Sequence, residues 1–263
     1  MLTTVFYLSL ATLPARADGL AISNVRLTQG MLGPKRDDAV FLPGDVLFVG
    51  FDLDNVAVDP EGRVRYSTSV EVASTDGKKH FSQAAKEHSA VNSLGGDKLP
   101  AFAQVDIGLK SPPGDYILKV TVADLVSKGS QSLTQKFTVQ PRGFGLVRVH
   151  ASADAEGQRP LALLGVGQSI FVNAVAVDFG RDANKAPNLR FEMRILDETG
   201  KPVLAKPEVG VVNKDVAPNV SSVPVQFLAS LNRPGKFAVE LKATDVTSGK
   251  TATRTYPLSV VEN

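Results

Sequence analysis

Few side chains in this sequence could do chemistry. The imidazoles are His80, His88 and His150, and there is no cysteine. Without thiols the chain can form no disulfide, no cysteine nucleophile and no thiolate metal site. None of the histidines stands at the spacing of His-x-x-x-His or Glu-x-x-His, so zinc is not expected. His80 and His88 share one polar stretch with Glu87, and the plain role of solvated loop side chains is favoured over a shared metal. Oxygen ligands are more plentiful. Asp52, Asp54, Asn55 and Asp59 cluster in the first half, and Asp178 and Asp182 take the corresponding place in the second. A hard cation wants several oxygens near about 2.4 Å, which makes Asp54, Asp59, Asp178 and Asp182 the calcium candidates. Their spacing fits no defined calcium loop, however, and a turn-forming, solubilising role for these aspartates is expected instead.

Catalytic patterns fare no better. Gly-x-Ser-x-Gly is absent, and a glycosidase would need two carboxylates converging in a cleft. Gly165-Val166-Gly167 leads into an alternating strand, so it reads as a turn, not as a dinucleotide fingerprint. No catalytic residue and no cofactor is expected, and the chain is read as a non-enzyme.

The elements that would position any site come from an internal repeat. Gly44 to Gly77 lies on Gly167 to Gly200 without a gap, pairing Phe48 with Phe171, Asp59 with Asp182 and Val72 with Ile195. Pro113-Gly114-Asp115-Tyr116 then lies on Pro234-Gly235-Lys236-Phe237, and Asp124 meets Asp245, as Ser127 meets Ser248. Val25-Arg26-Leu27 matches Val147-Arg148-Val149 as the first strand of each copy. Within a copy the hydrophobic period is two: Val64, Tyr66, Thr68, Val70 and Val72 alternate with Arg63, Arg65, Ser67, Ser69 and Glu71. Leu189, Phe191, Met193 and Ile195 repeat the pattern against Arg190, Glu192 and Arg194. Asp-Gly, Pro-Gly and Lys-Gly pairs mark the turns. Ser82 to Ser89, which lacks this alternation, reads as a variable loop because Pro207 stands in its counterpart. Phe48 and Phe171 point opposite to the core set of their strand, and burial on a central strand is favoured over an exposed docking patch.

About seven short strands per copy give an all-β fold: two tandem immunoglobulin-like antiparallel β-sandwiches related by internal duplication. The boundaries are residues 18–140 and 141–263, with the joint at Gln140-Pro141-Arg142-Gly143. Residues 1–17 read as a signal peptide, an apolar run closed by Ala15-Arg16-Ala17, although no Lys or Arg precedes that run and a short buried first strand is the alternative. The mature chain has no membrane span by length of apolar run.

Composition narrows the partners. The formal charge is 29 − 27 = +2 without a basic tract, so nucleic acid is not an expected partner. Tryptophan is absent and aromatics are 6%, which leaves few stacking platforms for sugars. Pro-Gly-x-Tyr/Phe opening an alternating strand, then Asp, a Ser/Gly/Lys turn and a last strand ending in Val, resembles the closing hairpin of bacterial immunoglobulin-like and fibronectin type III-like surface domains. The resemblance implies the sandwich, an adhesion or scaffolding role, and a Tyr116 hydroxyl bonded back to the backbone; Phe237 lacks that hydroxyl. The function expected is therefore an exported, non-catalytic structural or protein-interaction protein of the cell envelope, binding an envelope protein through strand edges and end loops. The location is extracytoplasmic: periplasmic, secreted or at the cell surface. A carbohydrate-binding module using Tyr66 and Tyr116, and a two-domain periplasmic chaperone, are the competing readings.

Overall fold

The computed structural model describes residues 19–159, 161 and 164–262, so the signal-peptide reading lies outside the described residues. The first half contributes β1 (Ala21–Thr28), β2 (Val40–Phe41), β3 (Val46–Asp54), β4 (Arg63–Ser74), β5 (Lys79–Val91), β6 (Leu99–Asp106), β7 (Gly114–Asp124) and β8 (Ser130–Val139). The second contributes β9 (Gly145–Ser152), β10 (Leu164–Gly165), β11 (Ser169–Val177), β12 (Leu189–Asp197), β13 (Glu208–Val212), β14 (Ser222–Ser230), β15 (Gly235–Asp245) and β16 (Lys250–Val261). Each half makes a three-stranded sheet, β1-β3-β6 or β9-β11-β14, and a five-stranded one, β2-β8-β7-β4-β5 or β10-β16-β15-β12-β13. No sheet mixes strands of the two halves, and the strand orders are the same. All pairings are antiparallel except the two-residue pairs β2–β8 and β10–β16, which are parallel. Among the described residues no helix is long and apolar enough to cross a membrane.

The alternation read from the sequence is the packing. Leu47, Val49, Phe51 and Leu53 of β3 meet Val70, Val72, Leu118, Val120 and Val122 of the larger sheet in one buried cluster, while Ile170, Val172, Phe191, Met193, Val239 and Leu241 fill the other. β3 and β11 occupy the same positions of the gapless repeat, 46–54 and 169–177. The tyrosine corner forms as expected: the Tyr116 hydroxyl donates to the Pro112 carbonyl at 2.8 Å. Phe237 instead sits under the Arg233 guanidinium at 4.7 Å.

Three readings need correction. Ser82 to Ser89 is not a loop but the middle of β5, a 13-residue strand paired along β4. Lying at a sheet edge and solvated on both faces, it needs no apolar period, so the signal for a strand was missing. The first strands match at a different offset. Ser23 and Arg26 stand opposite Asp52 and Gly50, whereas Val147 and His150 stand opposite Val175 and Asn173, so a bulge aligns Asn24 with Arg148 and not Arg26 with Arg148. Asn24 and Arg148 are both left-handed, with φ of 51° and 54°. Phe48 and Phe171 are each half-buried, because the outer face of their strand is only partly covered.

The repeated Asp124 and Asp245 turn out to be staples, 1% and 0% exposed. Asp124 accepts the N–H groups of Ala57 at 2.8 Å, Val126 at 2.8 Å and Ser127 at 3.1 Å. Asp245 accepts those of Gly180 at 2.7 Å, Thr247 at 3.1 Å and Ser248 at 3.4 Å, plus the Ser248 hydroxyl. Each carboxylate ties the loop after one sheet to the closing hairpin of the other. Burial alone raises both carboxyls, but for Asp124 the backbone donors Ala57, Val126 and Ser127, and for Asp245 the Ser248 hydroxyl with Gly180, Ser248 and Thr247, outweigh it and hold both below the usual value. Because the folded values are depressed, the stabilisation is complete above the unfolded value near pH ~3.9 and is lost as pH falls through the folded ones.

Edges are guarded in both halves. Pro100 of β6 and Pro224 of β14 are exposed and stand opposite Asp52 and Val175, the same position of the repeat, so neither outer ladder offers an N–H there. Replacing both prolines by threonine should shift sedimentation velocity toward larger species than the parent shows; an unchanged profile contradicts the guarding role. Asp124→Ala and Asp245→Ala should each cost about 3 kcal/mol in urea denaturation at pH 7, since three backbone donors lose their acceptor, and the gap to the parent should close as pH falls below about 4. Losses under about 1 kcal/mol would remove the staple role.

Candidate functional site

The two sandwiches meet along a cleft of about 620 Å³, lined by Arg36, Asp45, Phe48, Arg148, His150 and Arg254 among others. Its first wall follows from the turn into β3. Gly44 is left-handed, φ 99°, a conformation that strains any side chain, and a Cβ there would lie 2.9 Å from Leu109 Cδ2 and 3.2 Å from Val177 Cγ1 of the second half, so both neighbours would have to give way. The chain therefore delivers Asp45 directly into the joint, where it is 4% exposed.

A carboxylate so placed must be fully bonded. Asp45 Oδ1 accepts the N–H of Val46 at 2.9 Å and, from the other half, the N–H of Arg148 at 2.9 Å. Oδ2 accepts Arg36 Nη1 at 3.0 Å. Arg36 spends its remaining donors nearby, Nε on Asp38 at 2.9 Å and Nη2 on the Val40 carbonyl at 2.6 Å, with its plane 3.9 Å over the Phe41 ring. Arg148 returns the grip: Nε donates to the Gly44 carbonyl at 2.8 Å and Nη2 to Asp106 at 3.2 Å. His150, two residues on, lies against Gly30, whose Cβ would come within 3.0 Å of the histidine's own.

Arg36 and Arg148 are thus consumed by the architecture of the cleft. Lys35 and Arg254 also line it, and among the described residues neither forms an ion pair; Arg254 Nε donates to the Leu146 carbonyl at 3.3 Å. Gln29 Oε1, a further lining group, is buried without a hydrogen-bond partner among the described residues.

The structure gives each calcium candidate its own partner. Lys98 Nζ lies 3.3 Å from both Asp52 and Asp54, and those two carboxylates hold its ammonium above the usual lysine value, Asp54 more than Asp52. Asp59 Oδ1 accepts the N–H groups of Glu61 at 3.0 Å and Arg63 at 2.7 Å, and Asp182 Oδ1 those of Asn184 and Ala186, both at 2.9 Å. Asp178 pairs with Arg142 at 2.8 Å. Among the described residues no group of three or more His, Asp and Glu is placed to hold a metal ion.

The histidines are likewise separate. His80 Nε2 is 3.0 Å from Ser74 Oγ and its ring meets Tyr116 edge-on. His88 stacks on Tyr66 with centroids 5.0 Å apart and bonds Thr68 Oγ1 at 2.8 Å; burial, then Lys86, lowers its pKa. His150 places Nδ1 2.9 Å from the Arg148 carbonyl and Nε2 3.3 Å from that of Gly157. Sequence reasoning used Gly44 and Arg148 only to align the repeat and missed their part in the joint, and it missed Arg36 and Asp45, which no motif marks. The repeated Asp124 and Asp245 were visible as a pairing but not as staples.

No family model matches the sequence, and no curated protein matches it. Among solved structures it is similar to the C-terminal domain of the Streptococcus agalactiae antigen I/II polypeptide BspA, at 7% identity and TM-score 0.30 over 91% of this chain and 100% of that one. The C-terminal domain of the Streptococcus pyogenes antigen I/II-family protein AspA gives 9% and 0.30 over 91% and 99%. A Pseudomonas fluorescens alkylpurine DNA glycosylase AlkC bound to DNA containing an abasic site analog gives 14% and 0.29 over 47% and 31%. Scores this low assign neither family nor function.

Asp45→Ala should cost about 3 kcal/mol in chemical denaturation, because it takes the acceptor from Nη1 of the Arg36 guanidinium, 14% exposed, and from the Val46 and Arg148 N–H groups. Asp106→Ala, which removes a solvated partner 61% exposed, should cost less than about 1 kcal/mol. Equal losses would mean that Asp45 is not the centre of the joint.

Proposed function

We propose that this chain is an exported, non-catalytic structural or protein-interaction protein of the cell envelope, adhesion- or scaffold-like, made of two duplicated domains at residues 18–140 and 141–263 behind a signal peptide of residues 1–17. What carries this reading is where the buried carboxylates go. Asp45, Asp124 and Asp245 are each buried, and each is spent on backbone or arginine donors that hold loops and sandwiches in place. Charge is used to build a shape, which suits a spacer or scaffold presenting its ends to a partner.

The route to the partner is narrower than the sequence suggested. β6 and β14 carry prolines, β1 and β9 carry left-handed bulges, β13 has 5 residues and follows Pro207, and β5 carries Lys79 and Lys86 with two irregularities against β4. Strand addition is therefore hindered at each, and the end loops together with the cleft are the contact surface of this reading. A carbohydrate site is disfavoured by Tyr116 and Tyr256, which are buried, and by Tyr66, whose ring is covered by His88. Arg36 and Arg148, committed to Asp45, Asp38 and Asp106, are not open to anchor a chaperone subunit's carboxylate, which leaves that reading only Lys35 and Arg254 of the cleft. Asp54, Asp59, Asp178 and Asp182 serve ion pairs and turns.

The test is affinity capture of the tagged chain, residues 18–263, from its own envelope extract with calcium and with chelator. The expected result is one protein recovered in both conditions that then forms a stoichiometric complex with the purified chain in size-exclusion chromatography. An empty capture overturns the interaction reading. Recovery only with calcium would give the aspartates a metal role, and recovery of the native protein in the cytoplasmic fraction would overturn export.

A further inference from the structure

We infer that the two sandwiches form one rigid body, whose elbow angle is fixed by the reciprocal clamp between Asp45 of the first and Arg148 of the second. This goes beyond the proposed role and holds whatever the chain binds. Tandem domains joined by a short linker ordinarily move against each other unless the interface between them is large and apolar. Here each half keeps its own apolar core, so the joint is held by directed bonds and close contacts, and three observations carry the inference.

The first is reciprocity. Asp45 of one half accepts the backbone N–H of Arg148 at 2.9 Å, and the Arg148 side chain reaches back to the Gly44 carbonyl at 2.8 Å and to Asp106 at 3.2 Å. Opening the elbow breaks these bonds together, and it leaves the Asp45 carboxylate, 4% exposed, with only the donors of its own half, Val46 and Arg36. The penalty falls on backbone and buried charge, not on a solvated ion pair.

The second is the backbone of Arg148. Its φ of 54° is unfavourable for a residue with a side chain, and the bulge in β9 holds it there. That turn aims the N–H of Arg148 at Asp45. The equivalent bulge of the first half carries Asn24, which bonds Asp52 of its own sheet at 3.1 Å, so the arginine at this corner serves the joint alone. Gln168, which holds the place of Asp45 in the second half, likewise turns inward and accepts the Gly165 N–H at 2.9 Å.

The third is close backbone approach on both sides of the clamp. Gly44 faces Val177, with only 3.2 Å left for a Cβ, and Gly30 faces His150, with only 3.0 Å. The connection between β8 and β9 is residues 140–144, and its Arg142 is itself pinned to Asp178 at 2.8 Å. The linker is braced against the second half instead of hanging free between the two.

The sequence suits a direct test, since there are no native cysteines to remove. Thr134→Cys on β8 and Ser259→Cys on β16, both exposed, carry nitroxide labels one on each half, and double electron–electron resonance reads the distance between them. The full chain should give one narrow distance distribution. Asp45→Ala and Arg148→Gly should each broaden it roughly two-fold or more, as expected for domains released to move. Glycine keeps the left-handed backbone at 148 and its N–H on Asp45, so this variant retains the bulge and removes only the side-chain half of the clamp, the bonds to Gly44 and Asp106, which it tests even where Asp45→Ala fails to fold. Asp106→Asn, which loosens only the solvated outer bond, should leave the distribution narrow. A broad or two-peaked distribution in the parent, or an unchanged one in Arg148→Gly, overturns the inference.

Discussion

A carboxylate taken out of water has to be given donors, and the whole arrangement follows from where three aspartates find them. Asp124 and Asp245 find theirs within one sandwich, in the N–H groups of a loop from the opposite sheet and of their own hairpin turn. Asp45 finds one of its donors in the other sandwich. The same physical demand that closes each unit therefore also joins the units. In a chain with no cysteine, this is the nearest thing to a covalent brace, because a loop that lets go of such a group leaves it buried and unpaired.

How much of this was legible depends on which force wrote it into the sequence. Hydrophobic burial writes a period, so β3, β4, β11 and β12 were readable from Leu47 to Leu53, from Val64 to Val72 and in their counterparts. Turn chemistry writes glycine and proline, so Gly44, Gly77, Gly167 and Gly200 held the repeat in register, and all four are left-handed. Tyr116 was readable for the same reason, as a residue at a fixed offset from Pro-Gly. β5 was not, because an edge strand wet on both faces carries no apolar alternation. Val-Arg-Leu against Val-Arg-Val pulled the first strands two residues out of register, since a bulge changes the count of residues without changing their character.

The site was less legible than the fold. Aspartates at 54, 59, 178 and 182 drew notice because they cluster in sequence, yet the structure gives their oxygens to Lys98, to Arg142 and to local N–H groups. Asp45 stands alone in sequence and its partners lie 9 and 103 residues away, a separation that no local pattern records. Nor does comparing the halves expose it, because Gln168 replaces it in the second copy. A repeat shows what two copies share, and a joint between them is made of what they do not.

That asymmetry has a consequence for assembly. A head-to-tail contact between similar units is heterologous: whatever surface one copy offers below, the next could offer again, and such contacts run on into filaments unless something stops them. Here the donor corner with Arg148 exists only on the second unit, and the acceptor with Asp45 only on the first. Asn24 and Gln168, which hold the corresponding places in the other copy, each bond within their own sandwich. The interface is used once and terminates itself, so two nearly alike modules can lie end to end without inviting a third.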